Sequence, residues 1–194
     1  MNLSERLLVV GPSWVGDMVM AQSLYKLLKD RDSRLEIDVL APAWSLPLLG
    51  RMPEVERGIE LPVGHGELGI RRRRRLGHAL RGRYDRALVL PRSLKSALVP
   101  WFARVPRRTG FRGEWRFGLI NDMRPFEPER LNQTVRRFVA LGLGPEELEL
   151  PDPPLPALSL DQATSVATVA RLGLDTSRPV VALMPGAEYG PAKQ

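Results

Sequence analysis

The sequence contains no cysteine, which excludes disulfide bonds, thiolate catalysis and cysteine-ligated zinc sites. It also has no apolar run near the roughly 18 residues that a membrane-spanning helix needs. Its first residues, Met-Asn-Leu-Ser-Glu-Arg, do not form a basic segment followed by an apolar one, so we expect no secretion signal. These absences predict a cytoplasmic protein that does not cross a membrane, although contact with a membrane surface is compatible with them.

Lysine is scarce, because only four of the 29 basic residues are lysine. The formal net charge of +7 comes from one segment: residues 71–83 contain seven arginines and no acid, so the rest of the chain sums to zero. Planar guanidinium groups suit bidentate contacts with phosphate or carboxylate. A GC-rich genome would produce the same bias toward arginine, so the composition by itself leaves both explanations open.

Apolar runs alternate with segments of helical periodicity, which is typical of an α/β fold with a parallel sheet. In the first helix, Met18, Ala21, Tyr25 and Leu28 should share one buried stripe, and in the basic helix Leu76, Ala79 and Leu80 should face inward. The pattern predicts strands at 7–10, 37–40, 58–61, 87–90, 108–111 and 180–184, and helices at 17–29, 44–49, 72–80, 94–102, 130–141 and 160–172.

After Gly142 the sequence becomes rich in proline. Five prolines lie between Pro145 and Pro156, a density that no regular element tolerates. We therefore predict a first domain at 1–144, a proline-rich linker at 145–157, and at 158–194 the start of a second α/β unit. A buried parallel strand at 180–184 needs neighbours on both sides, so we expect this second unit to be incomplete within the sequence.

The segment from Leu7 to Met18 predicts a buried strand, a tight loop and a helix that opens on a carboxylate. Gly11 and Gly16 have the spacing of a phosphate-binding loop, but Asp17 and Met18 stand where that motif has a cation and a hydroxyl. A carboxylate there would repel phosphate, so a nucleotide cradle is not expected. Asp17 is a candidate catalytic base, and the alternative is a helix cap. The helix dipole at that position should lower its pKa.

The basic helix has three interpretations. It is a solvated surface, a nucleic-acid footprint, or a site for an anionic partner such as phosphate and carboxylate groups. Five consecutive arginines repel one another, which favours an anionic partner. Residues 67–83 contain no aromatic side chain for stacking on bases, which speaks against nucleic acid.

Eight segments closely resemble ADP-heptose:lipopolysaccharide heptosyltransferases, and within them the second transferase type. The segments are GPSWVGDM (11–18), APAW (41–44), RMPEV (51–55), LGH (76–78), YDRA (84–87), KSALVP (95–100), TGFRGE (109–114) and PGAEYGPAK (185–193). The resemblance implies the GT-B glycosyltransferase fold, with an N-terminal Rossmann-like domain that binds the acceptor and the first elements of a second Rossmann-like domain that binds ADP-heptose. We expect the chain to be an N-terminal fragment that is inactive alone.

The same resemblance implies an inverting transfer of heptose to the first heptose of the lipopolysaccharide inner core, heptosyl-Kdo2-lipid A, at the inner face of the inner membrane. Expected partners are ADP-heptose, this acceptor and an anionic membrane surface; no nucleic acid, cofactor or metal is expected. Heptosyltransferase I and a basic nucleic-acid-binding module remain the alternatives.

The resemblance also assigns roles to residues. Asp17 is the expected base. For Ser93 and Lys95 acceptor contact competes with helix capping, and for Trp14 it competes with packing. Donor contacts are expected from Gly186, Ala187, Glu188 and Lys193, and acceptor contacts from Ser13, Trp14, Arg71, Arg72, Arg73, Arg74, Arg75, Ser93 and Lys95.

Overall fold

A computed structural model describes residues 4–64, 66–144, 146, 147 and 149–183. The chain divides into two compact units, one ending at Ser159 and one beginning at Leu160. In chain order the elements are β1 (Arg6–Val10), α1 (Val15–Arg31), β2 (Glu36–Ala41), α2 (Leu46–Leu49), β3 (Arg57–Glu60), α3 (Ile70–Ala79), β4 (Arg86–Val89), α4 (Leu98–Phe102), β5 (Arg107–Phe111), β6 (Asp122–Arg124), α5 (Thr134–Gly142) and α6 (Gln162–Arg171).

The first unit contains one six-stranded sheet with the order β3-β2-β1-β4-β5-β6. Every pair of neighbouring strands is parallel, which confirms the predicted α/β class. This is the strand order of a Rossmann-like sheet. The sequence pattern missed β6, because a three-residue strand of partly buried residues at the sheet edge carries almost no periodicity.

The central strand β1 supplies both faces of the core because its side chains alternate between them. Leu7 and Val9 pack with α1 and α5 on one face, and Leu8 and Val10 belong to the cluster on the other face. All four are at most 3% exposed. The resulting three-layer packing fixes the carboxyl ends of the strands at a single edge of the sheet.

The buried faces of α1 and α3 can be compared with the faces predicted from the sequence. In α1, Met18, Ala21, Tyr25 and Leu28 are all buried, as predicted. In α3 the prediction was partly wrong, because Ala79 is exposed and the buried positions are Arg73 and Gly77. Gly77 lies against α4, where an added Cβ would stand 2.9 Å from the Val99 carbonyl oxygen. The five arginines therefore do not form a uniform outer face.

The described residues of the proline-rich segment, 146, 147 and 149–157, form no helix or strand and lie along the first unit. Gln22 exchanges two hydrogen bonds with the backbone of Ala157, at 2.9 and 3.0 Å, and Lys26 Nζ donates to the Leu155 carbonyl at 2.8 Å. The Ser159 amide donates to the Arg51 carbonyl at 2.7 Å. The segment is thus held by hydrogen bonds to two side chains of α1, and a backbone bond to Arg51 follows directly after it.

The described part of the second unit, up to residue 183, contains one helix, α6, whose N-cap Asp161 accepts from the Thr164 amide at 2.8 Å. The strand predicted at 180–184 is absent from residues 180–183, and Met184 lies outside the described residues. The described part of this unit offers no other strand to pair with. In the described ranges no helix is long and apolar enough to span a bilayer.

Candidate active site

The candidate site is a cavity of about 390 Å³ at the carboxyl ends of β1 and β4. After β1 the chain continues toward one edge of the sheet, at β2, and after β4 it continues toward the other edge, at β5. Open α/β sheets place ligands at such a switch point. Among the residues that the structure describes, one acidic and four basic side chains line the cavity. They are Asp17, Arg73, Arg92, Lys95 and Arg137.

Asp17 is the third residue of α1, which begins at Val15 and has Trp14 as its N-cap residue. Asp17 is therefore not the N-cap, and within the described residues its carboxylate accepts no hydrogen bond. Burial raises its pKa above the ordinary range, and Arg137 lowers it in smaller measure. The expected lowering by the helix dipole does not prevail. A carboxylate without donors and with a raised pKa is a better proton acceptor than an exposed one.

Arg73 differs from the other arginines of the run. It is 4% exposed and lines the cavity, and its Nε donates to the Leu68 carbonyl at 2.8 Å. Burial lowers its pKa, and the described residues provide no carboxylate partner for it. A buried guanidinium without an acid beside it is a strong attractant for a bound anion.

Two further cations of the cavity flank one aromatic ring. The guanidinium carbons of Arg92 and Arg137 lie 4.1 and 5.4 Å from the centroid of the Phe126 ring. Arg137 also donates to the Leu131 and Asn132 carbonyls, at 2.8 and 3.3 Å. The ring and these carbonyls hold two like charges close together, so a ligand with negative charge would relieve their repulsion.

Arg116 supports this side of the cavity from behind. It is fully buried, and it donates to the carbonyls of Pro91, at 2.7 Å, and Phe111, which follow and end β4 and β5 respectively. Burial lowers the pKa of Arg116 to about 10, and the neighbouring Arg92 adds to this effect. Arg116 thereby ties the segment after β4, which carries Arg92 and Lys95, to the end of β5.

Two tryptophans stand at the mouth of the cavity. Trp14 and Trp44 are each about half exposed, and Trp44 Nε1 donates to the Ser13 carbonyl at 3.0 Å. Ser13, Trp14 and Trp44 all line the cavity. Exposed indole faces beside a pocket that carries charged groups are suited to packing on sugar rings.

The structure brings five of the predicted site residues to this cavity: Ser13, Trp14, Asp17, Arg73 and Lys95. Ser93 does not line the cavity, and it precedes a short 3₁₀ turn without a side-chain cap bond. Arg71 and Arg72 line a shallow groove beside Glu67, and Arg74 and Arg75 are exposed. The predicted donor residues Gly186, Ala187, Glu188 and Lys193 lie outside the described residues.

Sequence reasoning missed Arg92 and Arg137. Arg92 stands between Pro91 and Ser93, directly beside residues that the sequence did single out, so its position after a buried strand was a usable indication. Arg137 lies on α5, far along the chain, and no local pattern connects it to Asp17. Among the described residues no group of three or more metal-ligating side chains is present.

A Rossmann-like domain with a carboxylate in a cation-lined cavity defines a class of α/β enzyme domains, and comparisons with known proteins identify the family. Residues 73–194 match glycosyltransferase family 9, the heptosyltransferases. The chain belongs to this family. It is 51% identical over 195 residues to lipopolysaccharide heptosyltransferase 2 of Escherichia coli K12, and 43% identical over 196 residues to lipooligosaccharide heptosyltransferase 2 of Haemophilus ducreyi.

The solved structure of E. coli ADP-heptose lipopolysaccharide heptosyltransferase II superposes with a TM-score of 0.85 at 48% identity. The superposition covers 97% of this chain and 57% of that structure. A family 9 structure from Veillonella parvula, 13% identical with a TM-score of 0.71, shares the fold. The two sequence relatives are likewise aligned over 97% of this chain and 56% of their own length, so the chain spans about half of each.

Proposed function

We propose that this chain carries the acceptor-binding half and the catalytic base of a heptosyltransferase. The reaction moves heptose from ADP-heptose to the first heptose of the lipopolysaccharide inner core, heptosyl-Kdo2-lipid A. One observation carries the proposal: the raised-pKa carboxylate of Asp17 lines a cavity whose other charged groups, among the described residues, are all basic. The names of the relatives with 51% and 43% identity support this choice of substrate class.

In the proposed mechanism, Asp17 accepts the proton of the acceptor hydroxyl as that oxygen attacks the anomeric carbon of the donor. ADP departs from the opposite face, so the configuration at the anomeric carbon inverts. Burial raises the pKa of Asp17 and so makes it a stronger base, and the positive charge of Arg137 opposes that rise and favours the ionised form that accepts a proton. The proton leaves the nucleophile as negative charge develops on the departing diphosphate.

The acceptor proposed here is acidic, which matches the excess of basic groups. Arg73, Arg92, Lys95 and Arg137 would receive carboxylate or phosphate groups of the inner core, and Ser13, Trp14 and Trp44 would contact its sugar rings. Ser93 remains a proposed acceptor contact on the strength of the resemblance. Exposed Arg71, Arg72, Arg74 and Arg75 would face an anionic membrane surface, where each adds about 1 kcal/mol of attraction.

The donor side of the proposal depends on the family resemblance. Gly186, Ala187 and Glu188 would contact ADP-heptose, and Lys193 would neutralise charge on the leaving diphosphate. We further propose that the first domain ends near residue 144, that 145–157 links it to a donor domain beginning near 158, and that residues 1–194 alone have no transferase activity. No nucleic-acid partner is proposed, because α3 has no aromatic side chain for stacking.

The test is heptose transfer by the full-length gene product at the inner face of membrane vesicles or in detergent. Wild type and Asp17→Asn are assayed with heptosyl-Kdo2-lipid A and, separately, with Kdo2-lipid A. Asp30→Asn, an exposed acid on the same helix, is the matched control. Transfer to the heptosylated acceptor that is lost only in Asp17→Asn supports the proposal. Transfer only to Kdo2-lipid A would assign the first transferase reaction instead.

A further inference from the structure

The loop at residues 112–118, here called the aromatic loop, exposes two large aromatic side chains. Trp115 is 87% exposed and Phe117 is 63% exposed. Trp115 has the largest exposed fraction among the large hydrophobic side chains of the described residues. Two large aromatics two residues apart in water imply a surface that covers them under working conditions.

The exposure is built into the loop and does not come from fraying. Arg116, between the two aromatics, is fully buried and donates to the Pro91 carbonyl at 2.7 Å and to the Phe111 carbonyl. Glu114 Oε2 accepts from the Leu94 amide at 2.8 Å. Because Arg116 points inward, its neighbours Trp115 and Phe117 are directed outward.

The aromatic loop lies beside the candidate active site. The Glu114 amide donates to the Arg92 carbonyl at 3.3 Å, and Arg92 lines the cavity. Gly113 is so close to the same carbonyl that a Cβ there would overlap it. The loop follows β5, so it lies at the same edge of the sheet as the cavity, which is built on the loops after β1 and β4.

Exposed basic groups outnumber exposed acids at the loop. Arg112 within the loop and Arg92 beside it are exposed, against the single exposed acid Glu114. On α3, which also contributes Arg73 to the cavity, exposed Ile70 precedes the exposed Arg71 and Arg72. Aromatic side chains combined with arginines are characteristic of surfaces that enter the headgroup region of anionic bilayers.

We infer that the aromatic loop inserts Trp115 and Phe117 into the interface of an anionic lipid surface and thereby holds the cavity mouth against that surface. The inference rests on the proposed function for one point, namely that the acceptor is lipid-linked. A base at the membrane surface can then reach an inner-core sugar without extracting the lipid. The charge complementarity selects a lipid surface over a second copy of this basic chain, which would be repelled.

Vesicle flotation of the full-length protein tests the inference. The probes are vesicles of phosphatidylglycerol and phosphatidylethanolamine, compared with pure phosphatidylcholine. Replacing both aromatics by Trp115→Ser and Phe117→Ser should lower partitioning onto the anionic vesicles by about tenfold or more, because two large apolar side chains no longer leave water. Trp101→Ser is the matched control: Trp101 is 42% exposed, lies in α4, before β5 begins, and packs edge to face against Phe102.

Transfer kinetics supply a second measurement. The double variant should raise KM for heptosyl-Kdo2-lipid A in vesicles and leave kcat/KM unchanged for the water-soluble, deacylated acceptor. If wild type uses neither acceptor, the proposed function fails, while flotation still decides the role of the loop. Equal flotation of wild type and variant would overturn the inference. A second result would also overturn it. If iodide fails to quench Trp115 in the full-length protein before vesicles are added, another part of the protein covers the loop.

Discussion

Asp17 and Asp38 are carboxylates of the same domain in opposite situations. Asp38, in β2, is 2% exposed, and its Oδ2 accepts hydrogen bonds from Arg57 at 2.6 Å and from Tyr84 at 2.5 Å. Asp17 is more exposed and receives no hydrogen bond from any described residue, although Arg137 acts on it through charge. The more deeply buried acid is therefore the better satisfied one.

The groups around Asp38 and the groups around the cavity differ in how far their charges are compensated. Around Asp38 the groups satisfy one another: burial and the Asp38 carboxylate raise the pKa of Tyr84 to about 12, so its hydroxyl stays a donor. Around the cavity, Arg73 and Asp17 carry charge without full compensation. Satisfied networks rigidify a fold, whereas uncompensated charges at a cavity are free to act on a ligand. The difference predicts which substitutions disturb folding and which disturb chemistry.

Asp17→Asn should produce the largest effect on the reaction. Removing a general base is expected to lower kcat for heptose transfer by about a thousandfold. Stability should not fall, because a carboxyl whose pKa is raised on folding loses stability as pH rises through that pKa, and asparagine removes this loss. Steady-state kinetics and urea unfolding of the full-length protein check both statements. A variant that keeps wild-type kcat would show that Asp17 is not the base.

Asp38→Asn should reverse that pattern. Asparagine keeps one carbonyl oxygen but removes the charge, so Arg57 and Tyr84 lose a shared charged acceptor, and we expect a loss of about 2 kcal/mol in the free energy of unfolding. Transfer by the fraction that remains folded should be close to wild type. Urea denaturation gives the stability, and activity normalised to folded protein gives the second number. An unchanged unfolding midpoint would contradict the structural role.

Arg73→Met should weaken acceptor binding and leave stability nearly unchanged. Losing a charged contact to an anionic acceptor is worth about 2 kcal/mol, or about thirtyfold in KM. Losing the bond to the Leu68 carbonyl is offset because an uncompensated buried charge is also removed. Arg74→Met, at the exposed next position, is the matched control. Equal KM values for the two variants would remove the distinction within the arginine run.

Arg137→Met should produce the smallest effect, a shift in the pH profile. Arg137 lowers the pKa of Asp17, so its removal should raise that pKa further and move the acid limb of kcat/KM to higher pH. Arg137→Lys keeps a positive charge and should keep the limb near the wild-type position. A pH–rate series for the three proteins measures the shift, and a movement toward lower pH would contradict the assigned coupling.

Local patterns in the sequence were sufficient for most of the sheet and for the base candidate. The apolar runs found β1 to β5, and the strand-loop-helix segment around Asp17 singled out one carboxylate. The same patterns failed for β6, for the inward face of α3 and for the strand at 180–184 in the residues described. The first two failures have a tertiary cause, because pairing at the sheet edge forms β6 and packing against α4 sets the inward face of α3. For 180–183, the described part of the second unit contains no strand to pair with.

The sequence by itself determined the α/β class, the family and the position of a carboxylate after the first strand, since periodicity and short motifs are local properties. Only the tertiary structure decided which charges act together. It turned Arg73 inward while its neighbours stayed exposed, and it brought Arg137 from α5 to Asp17 on α1. Burial and proximity between distant segments set pKa values and ligand contacts, and neither is encoded in local spacing.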